Sequence, residues 1–192
     1  MTRDAAWIKK LSKFLALSLR HAPHSFGLEP DDDGWVQLAD FVAMLPAHRR
    51  FRDATEDDVR EVVRTSDKQR YEIREGGGDD GAPPMLRARY GHSFREVRYE
   101  PAEPPATLLH GTGSNAADAI REQGLKPMSR TYVHLTPDED VAGVVGRRHA
   151  GKLIMLSVRA LEAHRSGILF HNPAPLIWLA KEVPPEFIDF PR

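Results

Sequence analysis

The 192-residue chain contains no cysteine. Disulfides, thiolate nucleophiles and cysteine-based zinc sites are therefore excluded. No apolar run approaches the roughly 20 residues of a membrane helix, and the first residues lack the apolar stretch of a secretion signal. A soluble, cytoplasmic protein is the expectation. The chain also lacks an excess of charge. Its 27 Lys and Arg stand against 28 Asp and Glu, and neither half departs from neutrality by more than one charge. Contact with a polyanion must then come from a local cluster, not from bulk attraction. Paired carboxylates for acid–base chemistry are missing too, because the acids fall in surface-like runs such as Asp31-Asp32-Asp33 and Glu56-Asp57-Asp58. No nucleophile-elbow sequence supports Ser/His/Asp catalysis. Among nine histidines only His21 and His24 are closely spaced, and Pro23 separates them, so no metal site is expected.

What is present is arginine, 20 residues against 7 lysines. Its planar fork is the better bidentate partner for phosphate, although GC-rich codon usage gives the same ratio. Arg20-His21 closes the first amphipathic segment. Arg70, Arg87, His110, Arg130 and His134 then stand singly in or beside short apolar strands. In a neutral protein these cations make a phosphate site if they converge.

Trp7, Ile8, Leu11, Phe14, Leu15 and Leu19 recur at helical spacing, and Pro23 predicts the end of that helix near Arg20-His21. Leu38, Phe41, Val42 and Leu45 predict a second helix. Thr55, with Asp58 three residues on, starts a third that buries Val59, Val62 and Val63. The period then becomes two. Arg70 to Arg74 and Met85 to Tyr90 read as a hairpin around the flexible Gly76–Gly81 turn. Three short helices and a hairpin are the layout of a winged-helix unit. Pro101-Ala102-Glu103-Pro104-Pro105 reads as a stiff linker, giving domains 1–100 and 101–192. Beyond it, strands are expected at Thr107–His110, Tyr132–Leu135, Leu153–Val158 and Leu176–Leu179. A helix over Asn115–Gln123 should end at Gly124, and another should start with Thr136 as N-cap, Pro137 at its first position and Glu139 at its third. The fold class is α+β.

Several positions carry two readings. Arg20 and His21 are ordinary at a helix C-terminus, and the negative end of the dipole there favours a charged imidazole. Arg70 is either a solvated strand residue or part of the phosphate site. Arg87 and Arg89 share a strand face ahead of Gly91-His92-Ser93, a bend that can offer backbone N–H groups to an anion. His110-Gly111-Thr112-Gly113 reads as a glycine-rich turn after a strand, open to a ligand, but it matches neither the dinucleotide fingerprint nor the P-loop. His134 is either a satisfied core histidine or a ligand contact.

The order of these motifs is more specific than any one of them. Leu11-Ser12-Lys13-Phe14-Leu15, Leu19-Arg20-His21, Gly34-Trp35-Val36, Asp67-Lys68-Gln69-Arg70-Tyr71, Leu86-Arg87-Ala88 with Gly91-His92-Ser93, His110-Gly111-Thr112, Met128-Ser129-Arg130, Val133-His134-Leu135, Trp178-Leu179 and Val183-Pro184 follow one another from Leu11 nearly to the end. This succession resembles the Tpt1/KptA family of RNA 2'-phosphotransferases. It departs from the family's usual pattern at Tyr71, where Phe is common, and at Arg89-Tyr90, where Asn-Gln is common.

The resemblance implies an N-terminal winged-helix RNA-binding lobe and a C-terminal, β-rich lobe of ADP-ribosyltransferase type that binds NAD. It implies an NAD-dependent removal of an internal RNA 2'-phosphate through an ADP-ribosylated RNA phosphate. The products are 2'-OH RNA, ADP-ribose 1'',2''-cyclic phosphate and nicotinamide. Arg20, His21, Arg70 and Arg130 correspond to the family's catalytic set. His110, Gly111, Thr112 and His134 correspond to its NAD-binding positions, and Arg87 and Ser93 to positions near the substrate phosphate. NAD is consumed, no metal is involved, and a monomer acting on RNA is expected. A transferase that only caps terminal phosphates of RNA or DNA, or a non-catalytic nucleic-acid-binding protein, are the alternatives.

Overall fold

The computed structural model describes residues 3–66, 68–77 and 81–191. It divides into two compact units, Met1–Arg98 and Tyr99–Arg192, and mixes helix with sheet in both. Among the described residues, no helix is long and apolar enough to cross a membrane.

The first unit is organised by α1 (Ala5–Arg20). The Asp4 side chain accepts the Trp7 amide at 2.7 Å and caps its start. Leu11, Leu15 and Leu19, spaced by four, are fully buried. The helix stops at His21, whose amide still bonds the Leu17 carbonyl, because Pro23 begins a separate 3-10 turn. Next come the two-residue strand β1 (Val36–Gln37), α2 (Leu38–Met44) and α3 (Glu56–Arg64). Thr55 and Asp58 form the expected capping box on α3. Asp58 also pairs with Arg3 at 3.1 Å. Burial works to raise the Asp58 carboxyl, but the bonds from Arg3 and Thr55 outweigh it and hold the group below its usual range.

Strands β2 (Tyr71–Arg74) and β3 (Met85–Ala88) pair antiparallel, with Tyr71 opposite Ala88 and Glu72 opposite Arg87. Of the expected turn between them, Gly78, Asp79 and Asp80 lie outside the described residues. Strand β1 joins β3 on its other edge, giving the order β1-β3-β2. Sequence periodicity missed β1, since two residues carry no period. The partner strand is also shorter than expected and stops at Ala88.

The second unit has two three-stranded sheets. Strands β4 (Leu108–Gly113), β6 (Leu153–Val158) and β9 (Ile188–Asp189) form one, in the order β4-β6-β9. The other, of order β5-β8-β7, comprises β5 (Val133–Leu135), β7 (Phe170–Ala174) and β8 (Ile177–Ala180). The Leu109–Thr136 bridge joins the two. Helices α4 (Ala117–Gln123), α5 (Glu139–Gly146) and α6 (Ala160–Arg165) complete the unit. Leu108, Leu135, Leu156, Phe170 and Ala180 are at its core.

Two expectations are corrected here. The N-cap of α5 is Asp138, which accepts the Val141 amide at 2.8 Å; Thr136 is not the cap. The Thr136 hydroxyl instead accepts the Asp138 amide at 3.2 Å, a turn that delivers the chain to the cap. His110-Gly111-Thr112-Gly113 is not a turn after a strand but the body of β4, paired residue for residue with Leu156 to Leu153. At the start of the Pro-rich segment Pro101 bridges His171, and the Ala102 amide bonds the Phe170 carbonyl at 2.8 Å.

Candidate active site

Arg20 ends α1 with its side chain turned inward and only 8% of the residue exposed. The guanidinium carbon lies 4.8 Å from the Tyr90 ring centre and 5.6 Å from that of Tyr71. One of its nitrogens donates to the Arg70 carbonyl at 3.4 Å. Gly91 makes room alongside: its φ of +89° suits glycine, and a Cβ there would lie 3.5 Å from Arg20. Arg20 is thus a cation mounted between aromatic rings, with little freedom to reorient.

Arg70 follows Gln69, whose φ of 42° makes it the one non-glycine residue in left-handed geometry among those described. That conformation turns the chain from α3 into β2. The Ser66 hydroxyl accepts the Arg70 amide at 3.1 Å, and the Arg70 carbonyl accepts the Arg89 amide at 2.9 Å as well as Arg20. Burial raises the Tyr90 phenol, while the charges of Arg20 and Arg70 both pull against it. Two guanidiniums therefore act on one phenol.

His21 is exposed at the helix end. Its Nδ1 lies 2.8 Å from the Ser93 hydroxyl oxygen, and the Ser93 amide donates to the Arg20 carbonyl at 2.8 Å. The expected anion-binding bend therefore spends its Ser93 amide on the helix end, and its hydroxyl orients the imidazole. Between them His92 is buried at 1% exposure. Burial, aided by the charges of Arg20, Arg87, His21 and Arg95, pushes its pKa down to about 3, so it is neutral. Four sequence candidates, Arg20, His21, Arg70 and Ser93, are thus brought together.

Arg87 has a different setting. It donates to Glu72 at 2.8 and 3.0 Å and to the Asp33 carbonyl at 3.3 Å, and stacks on Trp35 at 4.3 Å. Its charge is already shared with a carboxylate across the strand pair, which ties it to the sheet.

In the second unit, His110 and His134 meet. The His110 Nδ1 lies 2.9 Å from the His134 carbonyl, and the His134 Nδ1 lies 3.1 Å from the Tyr132 carbonyl. Carbonyls only accept, so both Nδ1 atoms carry hydrogen. Burial lowers the His110 pKa. A neutral ring of this tautomer presents Nε2 as an acceptor, which suits a ribose hydroxyl and not a phosphate oxygen. His110 thus offers an acceptor to a sugar hydroxyl. Gly111 and Gly113 also answer a packing need. A Cβ on Gly111 would collide with the Ala142 carbonyl oxygen, and one on Gly113 with that of Ala150. The glycines let α5 and the chain after it lie directly on β4. Thr112 is 5% exposed within the same strand.

Arg130 is exposed on the irregular segment between α4 and β5. Among the described residues, no group of three or more His, Asp or Glu side chains is placed to hold a metal. Sequence reasoning missed Tyr90 and His92 as parts of the site. Both were on view, in the departure at Arg89-Tyr90 and in Gly91-His92-Ser93, but neither pattern tells which side chains face inward.

Guanidinium and imidazole groups held together in this way are the equipment of a protein that handles phosphate. A family model described as "RNA 2'-phosphotransferase, Tpt1 / KptA family" matches residues 7–182. The chain is 40% identical over 182 residues to a protein of Acetivibrio thermocellus named "Probable RNA 2'-phosphotransferase", covering 94% of this chain and 96% of that protein. Relatives of the same name include one from Pectobacterium carotovorum subsp. carotovorum, 41% identical over 181 residues, with 93% and 92% covered. Another, from Streptomyces griseus subsp. griseus, is 40% identical over 181 residues, with 93% and 94% covered. The chain belongs to the Tpt1 / KptA family of RNA 2'-phosphotransferases, which are transferases.

Proposed function

We propose that the protein removes an internal 2'-phosphate from RNA with NAD as co-substrate, releasing 2'-OH RNA, ADP-ribose 1'',2''-cyclic phosphate and nicotinamide. The observation that carries this reading is the Arg20–His21–Arg70–Ser93 cluster, found in a chain of this family. The first unit is read as a winged-helix lobe for RNA and the second as an ADP-ribosyltransferase-like lobe, in which His110, Thr112 and His134 line the NAD site. Bound NAD supplies an electrophilic ribose carbon with nicotinamide as its leaving group.

The chain's own residues then have defined tasks. The 2'-phosphate is an anion already, so its attack needs positioning and no general base. That agrees with a sequence whose acids fall in surface-like runs and not in catalytic pairs. Arg20 and Arg70 hold the phosphate oxygens, and Arg130 is read as the remaining cation of the family's catalytic set. They also stabilise the charge that builds on phosphorus, a role worth about 10²–10³ in rate per fixed donor. Arg20 suits it because the tyrosine rings fix its position before substrate binds. In the second step the ribose 2''-OH attacks that phosphorus, losing its proton to solvent; Ser93 holds one nitrogen of His21, leaving Nε2 to pass a proton to the departing RNA 2'-oxygen.

The test is to incubate the protein with NAD and an oligonucleotide carrying one internal 2'-phosphate, and to identify both the RNA and the nucleotide products. Reaction that stops at an ADP-ribosylated phosphate supports the capping activity instead. Absence of nicotinamide release overturns both. His21→Asn should bind RNA normally yet accumulate ADP-ribosylated RNA phosphate; a normal second step in that variant removes the proton-transfer role.

A further inference from the structure

A groove of about 630 Å³ runs along α1 in the first unit, walled on its other side by α3 and the start of β2. Lys9, Lys13 and Arg20 stand on one stripe of α1, at successive spacings of four and seven residues. Arg70 faces them at the same end as Arg20. Among the described residues, the acid in the groove lining is Glu61, bonded to Arg64 at 2.6 Å. Many of the protein's surface arginines are spent in this way: Arg60 on Glu56 and Glu75, Arg87 on Glu72, Arg121 on Asp118, Arg159 on Glu162. Lys9 and Lys13 are exposed and, among the described residues, enter no ion pair. In a chain of net charge −1, Lys9 and Lys13 give this groove two exposed positive charges side by side.

We propose that the α1–α3 groove seats a single RNA strand leading away from the 2'-phosphate, with Lys9 and Lys13 contacting successive backbone phosphates. The inference rests on the reading that Arg20 and Arg70 hold the 2'-phosphate. From Lys9 to Arg20 is about 16 Å along the helix axis, the length of about five stacked nucleotides at 3.4 Å each. The strand is gripped by its backbone. The aromatic residue in the lining, Tyr71, is 2% exposed with its hydroxyl bonded to the Ser12 carbonyl, and offers no face for a base. Recognition along the groove is therefore independent of base sequence, which suits an enzyme that finds a phosphate and not a motif.

The test is direct binding, by fluorescence anisotropy over a salt series, of two labelled RNAs carrying one internal 2'-phosphate. One is a trinucleotide and the other has about twelve nucleotides, with lengths chosen to exceed the groove. Lys9→Ala/Lys13→Ala should weaken the long RNA by tenfold or more and flatten the log–log salt slope by about 1.4, the share of two phosphate contacts on a single strand. Lys10→Ala, which removes one positive charge outside the groove lining, should do neither. The inference is overturned if Lys10→Ala has the same effect, if the double variant leaves the long RNA unchanged, or if the trinucleotide suffers equally. Because binding is the readout, failure here is separate from failure to release nicotinamide, which bears on the catalytic reading.

Discussion

Ser93 holds His21 from 72 positions away in the chain: its hydroxyl meets the imidazole Nδ1 at 2.8 Å while its amide bonds the carbonyl of Arg20. One residue thus fixes both a helix end and the ring mounted on it. Ser93 acts through His21 and is a positioning residue. Ser93→Ala should lower kcat about tenfold, the worth of one hydrogen bond near 1.4 kcal/mol, with KM for 2'-phosphorylated RNA changing less than twofold. Ser93→Thr keeps the hydroxyl and should restore most of the rate. Equal loss in both variants removes the role.

Arg20→Lys keeps the charge and discards the planar fork that lies against Tyr90 and Tyr71. A lysine cannot hold the phosphate bidentately from that seat. Turnover of 2'-phosphorylated RNA should fall by about 10² or more, while circular dichroism stays unchanged. A loss below tenfold shows that charge alone is what the site uses.

His92 gives the fold an acid sensitivity. The unfolded chain takes up a proton on this residue near pH 6.5, whereas the native protein resists until about 3. Between those values the unfolded state binds more protons, so stability falls as pH falls, by up to about 1.4 kcal/mol per pH unit. His110, lowered by burial, acts in the same direction. Urea unfolding between pH 6.5 and 5, above the usual carboxylate range, should show the slope and its reduction in His92→Gln. An NMR titration that places the native His92 midpoint near 6.5 ends this account.

Gly111 is required by contact and not by turn geometry. Gly111→Ala drives a methyl into the Ala142 carbonyl, and backbone cannot rotate away. Chemical denaturation should register a loss of about 1–3 kcal/mol, typical of overpacking. Gly27→Ala, where φ is +69° but nothing lies within 4 Å, should cost only the backbone strain of about 1–2 kcal/mol.

The two candidate caps of α5 are separable by mutation. Asp138→Ala removes the acceptor of the Val141 amide and should cost about 1 kcal/mol in denaturant unfolding. Thr136→Val removes the hydroxyl that accepts the Asp138 amide and should be milder. The reverse order restores Thr136 as the cap.

The sequence by itself determined what short-range physics can specify. Apolar spacing located α1, α2 and α3, and Pro23 with the Thr55–Asp58 box marked their ends. Alternation located the hairpin strands near Tyr71 and Met85, and motif order led to the family. These signals survive because caps and periodicity act within a few residues. Tertiary structure decided which residues meet. Strand β1 exists only because β3 offers it an edge. Asp138 caps α5 because the Leu109–Thr136 bridge holds Thr136 in an earlier turn. The glycines after His110 look like a turn until α5 is laid over them. Arg20-His21 reads as an ordinary helix end until Tyr90, His92 and Ser93 close around it from some 70 residues away. Those contacts depend on loop closure and on which face of each element is covered, and neither is written in the local order of residues.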